Sequence, residues 1–379
     1  MKARHMFLPG LVLVALAALS SCTDAIFATI EAERKVTTNT LPLNISIFDV
    51  ATSVPLTPGG PYFVAGGGVF KGTFNSGGTL DWNPSDTSRP LNPSGLLCNS
   101  MVYYPPTATL WGGFITSSGA VPLYQSTGGL TFAGQTPVND PAINTKQTVL
   151  LQVAHGHLFM VSTLDTSTYE LDYNLNGASL WVANFLSALP YPITGVVWDG
   201  VNYWAASAAN LYTTSIDPPI STSFASATSP VPHGDTINGI FADSTSGRVF
   251  LATKANGIYW SVRGASWNHI DHDQVGSVIV SNLCVAGPAD GATADKYLVG
   301  SDGYGYYTLS ISGNNGSGSI SRFGDSTILL YSASVSRILV DGVNVLMGTN
   351  YRGLWRAVFD TTMGALASGQ SWTHENRES

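Results

Sequence analysis

The chain has 379 residues, a net charge of −8 and only 11% charged residues, against roughly 25% in an ordinary soluble protein, which excludes a basic nucleic-acid binder. Hydrophobic residues make up 44%, with 40 Gly, 20 Pro, 9 Trp, 16 Tyr and 15 Phe. That mixture excludes a disordered chain, a coiled coil and a collagen, and points to an all-β protein of many short strands joined by turns.

Lys2 and Arg4 precede an apolar run of 13 residues, Phe7 to Leu19. The run is broken by Pro9-Gly10 and is shorter than the roughly 20 residues that span a bilayer, so it reads as a secretory signal. Leu19-Ser20-Ser21-Cys22 follows and resembles the lipobox of bacterial lipoproteins. The resemblance implies cleavage before Cys22, acylation of Cys22, and a chain held by its lipid on the outer membrane or on the periplasmic face of the inner membrane, with surface exposure left open. The alternative is ordinary secretion with a free Cys22. Cleavage removes Lys2 and Arg4 and no acid, taking the net charge to −10 and leaving no polybasic membrane patch. The expected organisation is a signal peptide at 1–21, a lipidated Cys and linker at 22–43, and one repeat domain at 44–379.

Along that domain a five-residue pattern recurs: three mostly apolar positions, a small residue, then usually Ser, Thr or Gly. The copies are YFVAG, LWGGF, LFMVS, YWAAS, VFLAT, YLVGS and VLMGT. Their second residues, Phe63, Trp111, Phe159, Trp204, Phe250, Leu298 and Leu346, are separated by 48, 48, 45, 46, 48 and 48 positions. Before each copy lies a strand-like run, in places ended by a hairpin dipeptide such as Asp199-Gly200 or Asp341-Gly342. After it comes an aromatic-bearing strand, often opened by Gly, as in Gly257-Ile258-Tyr259, Gly305-Tyr306-Tyr307 and Gly353-Leu354-Trp355. A unit of about 47 residues with three visible strands and room for a fourth is one blade of a β-propeller, and seven units make a seven-bladed ring of four-stranded antiparallel sheets. The seventh sheet is completed either by residues 366–374 or by Ile30 to Thr38. Cys98 and Cys284 fall in the second and sixth blades, which are not neighbours, so both are expected as buried unpaired thiols.

Three Gly-containing turns after third strands end in an aromatic: Gly129 to Phe132, Gly264 to Trp267 and Gly369 to Trp372. They resemble degenerate Asp-boxes of sialidase-like and photosystem-assembly-factor-like propellers, with the family's Asp missing. The segments Val197-Trp198-Asp199-Gly200 and Val340-Asp341-Gly342 are similar to quinoprotein-type repeats, which also occur in a lipoprotein scaffold for outer-membrane protein assembly. Arg337-Ile338 is similar to the start of the sialidase Arg-Ile-Pro motif, but Leu339 stands in place of Pro, and Glu170 is the only Glu between residues 44 and 374. A sialidase-like carbohydrate-active hydrolase and an assembly scaffold for outer-membrane proteins are therefore the alternatives to a binding or scaffolding module of the cell envelope without enzymatic activity, whose partner is a protein or a glycan. No cofactor or metal is called for, and no catalytic residue is assigned.

The loops between second and third strands share a rim with the crossovers between blades. That rim gathers the candidate binding residues His233, Asp235, Lys254, His269, Asp271, His272, Asp273, Asp302, Tyr304, Tyr351 and Arg352, in a chain with little charge to distribute. Alternation in His269-Ile270-Asp271-His272-Asp273 would bring His269, Asp271 and Asp273 to one side of an extended segment. A solvated loop is the plainer expectation. His155-Gly156-His157 reads as a hairpin turn with two exposed imidazoles on the opposite rim.

Overall fold

Each copy of the repeated pattern forms the second strand of an antiparallel sheet, and there are seven such sheets. The computed structural model describes residues 41, 46–52, 61–66, 68–82, 96–126, 132, 136–163, 167–174, 180–220, 223–271, 280–285, 295–313, 318–322, 328–360 and 364–375. Residues 1–21, expected as a signal segment, and Cys22, His272 and Asp273 lie outside the described residues.

Blade 1 contains β1 (Asp49–Thr52), β2 (Tyr62–Ala65), β3 (Val69–Phe74) and β4 (Leu80–Trp82). Blade 2 contains β5 (Leu97–Tyr104), β6 (Thr109–Ile115) and β7 (Leu123–Gln125), three strands among the described residues. Blade 3 contains β8 (Gln147–Ala154), β9 (His157–Thr163), β10 (Tyr169–Asn174) and β11 (Trp181–Leu189). Blade 4 contains β12 (Ile193–Trp198), β13 (Tyr203–Ser207), β14 (Asn210–Thr214) and β15 (Ala225–Ala227). Blade 5 contains β16 (Ile237–Asp243), β17 (Arg248–Thr253), β18 (Ile258–Val262) and β19 (Trp267–Ile270). Blade 6 contains β20 (Val280–Val285), β21 (Asp295–Ser301), β22 (Tyr306–Ile311) and β23 (Gly318–Arg322). A single helical turn, α1 (Ile328–Tyr331), leads to blade 7: β24 (Ser334–Asp341), β25 (Asn344–Asn350), β26 (Leu354–Asp360), β27 (Ala365–Leu366) and β28 (Thr373–His374). The seven-bladed all-β propeller expected from the repeat is the observed fold.

The pattern has a residue-by-residue explanation. Its second residue packs between blades: Phe250 joins Trp260, Tyr297 and Leu309 in one core cluster bridging blades 5 and 6. Burying such a side chain is worth about 1.5–3 kcal/mol, and each sheet needs a neighbour on both faces to collect it. The fourth residue is small because the next blade's entering strand crosses there. A Cβ on Gly113 would lie 2.8 Å from the Thr148 side chain, and one on Gly348 would lie 2.7 Å from Ile47 Cγ2. In blades 5, 6 and 7 the fifth residue ties the following turn: Thr253, Ser301 and Thr349 hydroxyls donate to the carbonyls of Gly257, Gly305 and Gly353 at 2.9, 2.7 and 2.7 Å. Those glycines have φ of +70°, +71° and +66°, a conformation that strains a residue carrying a Cβ.

Blade 7 is completed by its own C-terminal residues, since β28 pairs with β26. The ring then closes through side chains. Tyr62 donates to Asp341 Oδ2 at 2.8 Å, and Glu375 of the last blade accepts from Trp82 Nε1 at 3.2 Å while pairing with Arg356 at 2.8 Å.

Candidate functional site

The first strand of every blade is an edge strand facing the central channel, so alternate N–H and C=O groups point away from the sheet and need other partners. Six of these seven strands carry a β-bulge at the same place in the repeat, leaving Asn99, Val149, Thr194, Asn238, Ser281 and Ser336 as the extra residues. Phe48 holds the corresponding position before β1. The bulges gather five of these side chains and Phe48 around one mouth of the channel, a cavity of about 210 Å³ also lined by Asp49, Ser100, Gln152 and Arg337.

Side chains of one blade satisfy the inner strand of the next. Met101 N–H donates to Asp49 Oδ2 (3.1 Å), Leu151 N–H to Ser100 Oγ (3.0 Å) and Val196 N–H to Gln152 Oε1 (2.8 Å). At the junction of blades 7 and 1, Arg337 Nε pairs with Asp49 Oδ1 at 3.0 Å, and Ser336 Oγ donates to the Ile47 carbonyl. Burial pushes the Asp49 carboxyl up from the ordinary value, against the opposing effect of Arg337, the Met101 and Val50 N–H groups and Ser100. Through Asn99 and Val149 the mouth borders an open groove of about 660 Å³ that runs outward between the turns of blades 2 and 3, past Ala120, Val121 and Gln147 to Tyr169 and Pro192.

The described candidate residues, all but His272 and Asp273, occupy the same rim but form three separate local clusters, none of them lining the mouth or groove. In blade 5 the Asp235 carboxylate is buried and holds the turn at 254–257, accepting from Thr236 N–H (2.7 Å), Ala255 N–H (3.0 Å) and Asn256 Nδ2 (2.7 Å). His269 stacks on Tyr259 with centroids 4.4 Å apart, and its Nε2 lies 2.6 Å from the Asn256 carbonyl. Lys254 and Asp271 are exposed nearby, and His233 is exposed in the crossover to β16. At blades 6 and 7 Asp302 accepts from Ser334 Oγ, and Tyr304 lies beside Arg322. At blades 7 and 1 Tyr351 donates its N–H to Ser46 Oγ at 3.1 Å, and the Arg352 carbonyl accepts from Trp355 Nε1 and His374 Nε2, both at 3.0 Å.

On the opposite rim His155 and His157 do form a hairpin turn, but only His155 is mainly exposed. Both Nε2 atoms face Asp217, at 3.1 Å from Oδ2 and Oδ1 respectively, and Tyr203 donates to Oδ1 at 2.7 Å. With His157 Nε2–H on the carboxylate, its Nδ1 accepts from Tyr173 OH at 2.9 Å, while the His155 ring stacks on Trp198 at 4.4 Å. Burial raises the Asp217 carboxyl, but the Tyr203 hydrogen bond and the two imidazoles outweigh it and leave the group below its ordinary value. Burial, then the Asp217 hydrogen bond, raises the Tyr203 phenol. Asp217 comes from the loop between β14 and β15 and has no repeat equivalent that would have marked it in sequence.

Among the described residues no group of three or more His, Cys, Asp or Glu is arranged to hold a metal ion. Cys98 is a free, buried thiol in blade 2 and Cys284 lies in blade 6. No helix among the described residues is long and apolar enough to cross a membrane.

No family model matches the chain, and no curated protein matches it in sequence. Among solved structures, the WD40 β-propeller domain of Doa1 is similar with a TM-score of 0.56 at 11% identity, covering 86% of this chain and 97% of that one. The extracellular domain of a protein assigned as a hybrid two-component system from B. thetaiotaomicron is similar with a TM-score of 0.51 at 12% identity, covering 83% of this chain and 39% of that one. At these identities the likeness shows the fold, a β-propeller.

Proposed function

We propose that the chain is a lipid-anchored binding or scaffolding propeller of the bacterial cell envelope, without enzymatic activity, that takes a protein or glycan partner in the groove leading from the channel mouth between blades 2 and 3. The observation that carries this reading is a mouth lined by amides, hydroxyls and one ion pair that opens into a groove where Asn99, Gln147 and Thr163 stand among Ala120, Val121, Tyr169 and Pro192. Such groups recognise a polar partner by hydrogen bonds. Asp49 is the one carboxylate in that lining and is committed to Arg337 and to backbone N–H groups. Most glycosidases need two acids flanking the scissile bond, and the sialidases resembled above pair a Tyr nucleophile with a Glu and add an acid, so a single committed carboxylate favours binding over hydrolysis. Cys22 after Leu-Ser-Ser supports the anchor.

The test is capture of cross-linked partners from intact cells by the wild type and by Ala120→Trp, which fills the groove from a turn. The expected result is one partner lost in the variant with thermal stability retained. Equal capture by both chains would remove the groove from consideration. Labelling with a fatty acid, present in the wild type and absent in Cys22→Ala, tests the anchor.

A further inference from the structure

The exposed large side chains divide by rim. Among the described residues, the exposed aromatics Phe48, Tyr191, Tyr304, Tyr331 and Tyr351 all lie on the rim of the channel mouth. Among the described residues the large hydrophobic side chains exposed on the opposite rim are aliphatic, such as Leu180, Ile216 and Ile220. Four of the five aromatics fall in one sector, blades 6, 7 and 1. There Arg322 lies 3.2 Å from the Tyr331 ring centroid and 5.4 Å from that of Tyr304, and Tyr351 is bonded to Ser46, two residues before Phe48.

The chain enters the ring in the same sector. Leu41 is fully buried and its N–H reaches the Glu375 carbonyl at 3.4 Å, while Glu375 N–H bonds Leu354 at the start of β26, on this same rim. Only 18 residues separate Cys22 from Leu41, a reach of at most about 65 Å when fully extended. A tether attached beside this sector keeps it at high effective concentration near the bilayer, where weak interfacial binding suffices. Tyr and Phe are suited to that layer, with rings among the acyl ends and polar tips or edges among the headgroups, and Arg322 places its charge between two such rings. The acidic chain, net −10 after cleavage, has no basic patch here that would call for anionic lipid.

We infer that this aromatic sector is the face by which the propeller rests on a lipid bilayer. The ring is then tilted, with blades 6, 7 and 1 at the headgroups and the groove between blades 2 and 3 raised toward its partner. The inference rests on the anchored reading proposed above, but its test is separate.

The acylated chain, carrying Cys284→Ser and either Asn350→Cys beside the sector or Val343→Cys on the opposite rim, is labelled with a polarity-sensitive fluorophore and reconstituted into phosphatidylcholine vesicles. If Cys22 proves unacylated, a hexahistidine tag at that position and nickel-chelating lipid supply the tether. Brominated phosphatidylcholine should quench the label at 350 about twofold and spare the label at 343, with little dependence on salt, and Tyr304→Ser combined with Tyr351→Ser should abolish the quenching. Equal, unquenched emission from both positions on tethered protein would overturn the inference while leaving the anchor standing. A label at 350 that is unquenched on vesicles but shielded in intact cells would also overturn it, by assigning the sector to a protein.

Discussion

The hydroxyl of Tyr62 donates to Asp341 Oδ2 at 2.8 Å, although 279 positions separate the two residues in sequence. The bond crosses the seam where the last blade meets the first. Tyr297 and Asp243 repeat it at 3.0 Å between blades 6 and 5, so the seam is built like an ordinary blade junction. Tyr62→Phe should cost about 1.5–3 kcal/mol, the range for a buried hydrogen bond to a carboxylate. Urea denaturation is the measurement. A loss below about 0.5 kcal/mol would mean that the other seam contacts suffice.

Two carboxyls should respond to acid in opposite senses. Asp217 is held below its unfolded value, so its stabilising contribution is fully present above the unfolded pKa of about 3.8 and is lost as pH falls through the lower folded value. Asp49 is raised above its unfolded value, so stability falls as pH rises from about 3.8 through the folded pKa, where the buried group ionises. Asp217→Asn should therefore flatten the acid limb of the stability profile. Asp49→Asn should remove the loss on the rising side. Denaturant midpoints measured from about pH 3 to 7 would separate the two, and parallel profiles would contradict the assignment.

Two of the degenerate box turns differ in one testable respect. Gly264 and Gly369 have nearly equal φ, +72° and +75°, but a Cβ on Gly264 would collide with the Trp204 ring, whereas Gly369 faces open space. Gly369→Ala should cost only the backbone strain, about 1 kcal/mol, and Gly264→Ala about 1–3 kcal/mol more from overpacking. Equal thermal shifts would show that Trp204 moves aside without cost.

Cys98 is free, fully buried, and raised by burial and by the Asp49 charge, which keeps its thiol protonated. It should resist maleimide in the folded protein and react with it after unfolding without reductant, together with Cys284. Mass spectrometry counts the adducts, and failure of Cys98 to react after unfolding would contradict a free thiol.

Phe63, Trp111 and the other large second residues announced the blades because each must fill the same gap between sheets, and a constant gap enforces a constant residue type and spacing. Gly257, Gly305 and Gly353 were legible for a related reason, since a tight turn admits few conformations. The mouth was not legible. Asn99, Thr194, Asn238 and Ser281 share one bulge position, but they precede the second residues of their repeat copies by 12, 10, 12 and 17 positions because the intervening turns differ in length. Arg337 was noticed only through a motif it fails to complete. What sets its role is Asp49, nearly a full turn of the ring away in sequence and adjacent across the seam. Asp235 and His269 look like ligand-seeking loop residues in sequence, and only the folded turn shows their polar atoms engaged with Ala255 and Asn256.

The central claim is that a partner occupies the groove between blades 2 and 3. Its most direct measurement places a photo-cross-linking residue at Ala120 in the groove or at Val343 on the opposite rim, in the full chain in living cells. A discrete adduct from position 120 and none from 343 is the predicted result. Adducts from 343 alone, or equal adducts from both, would contradict it.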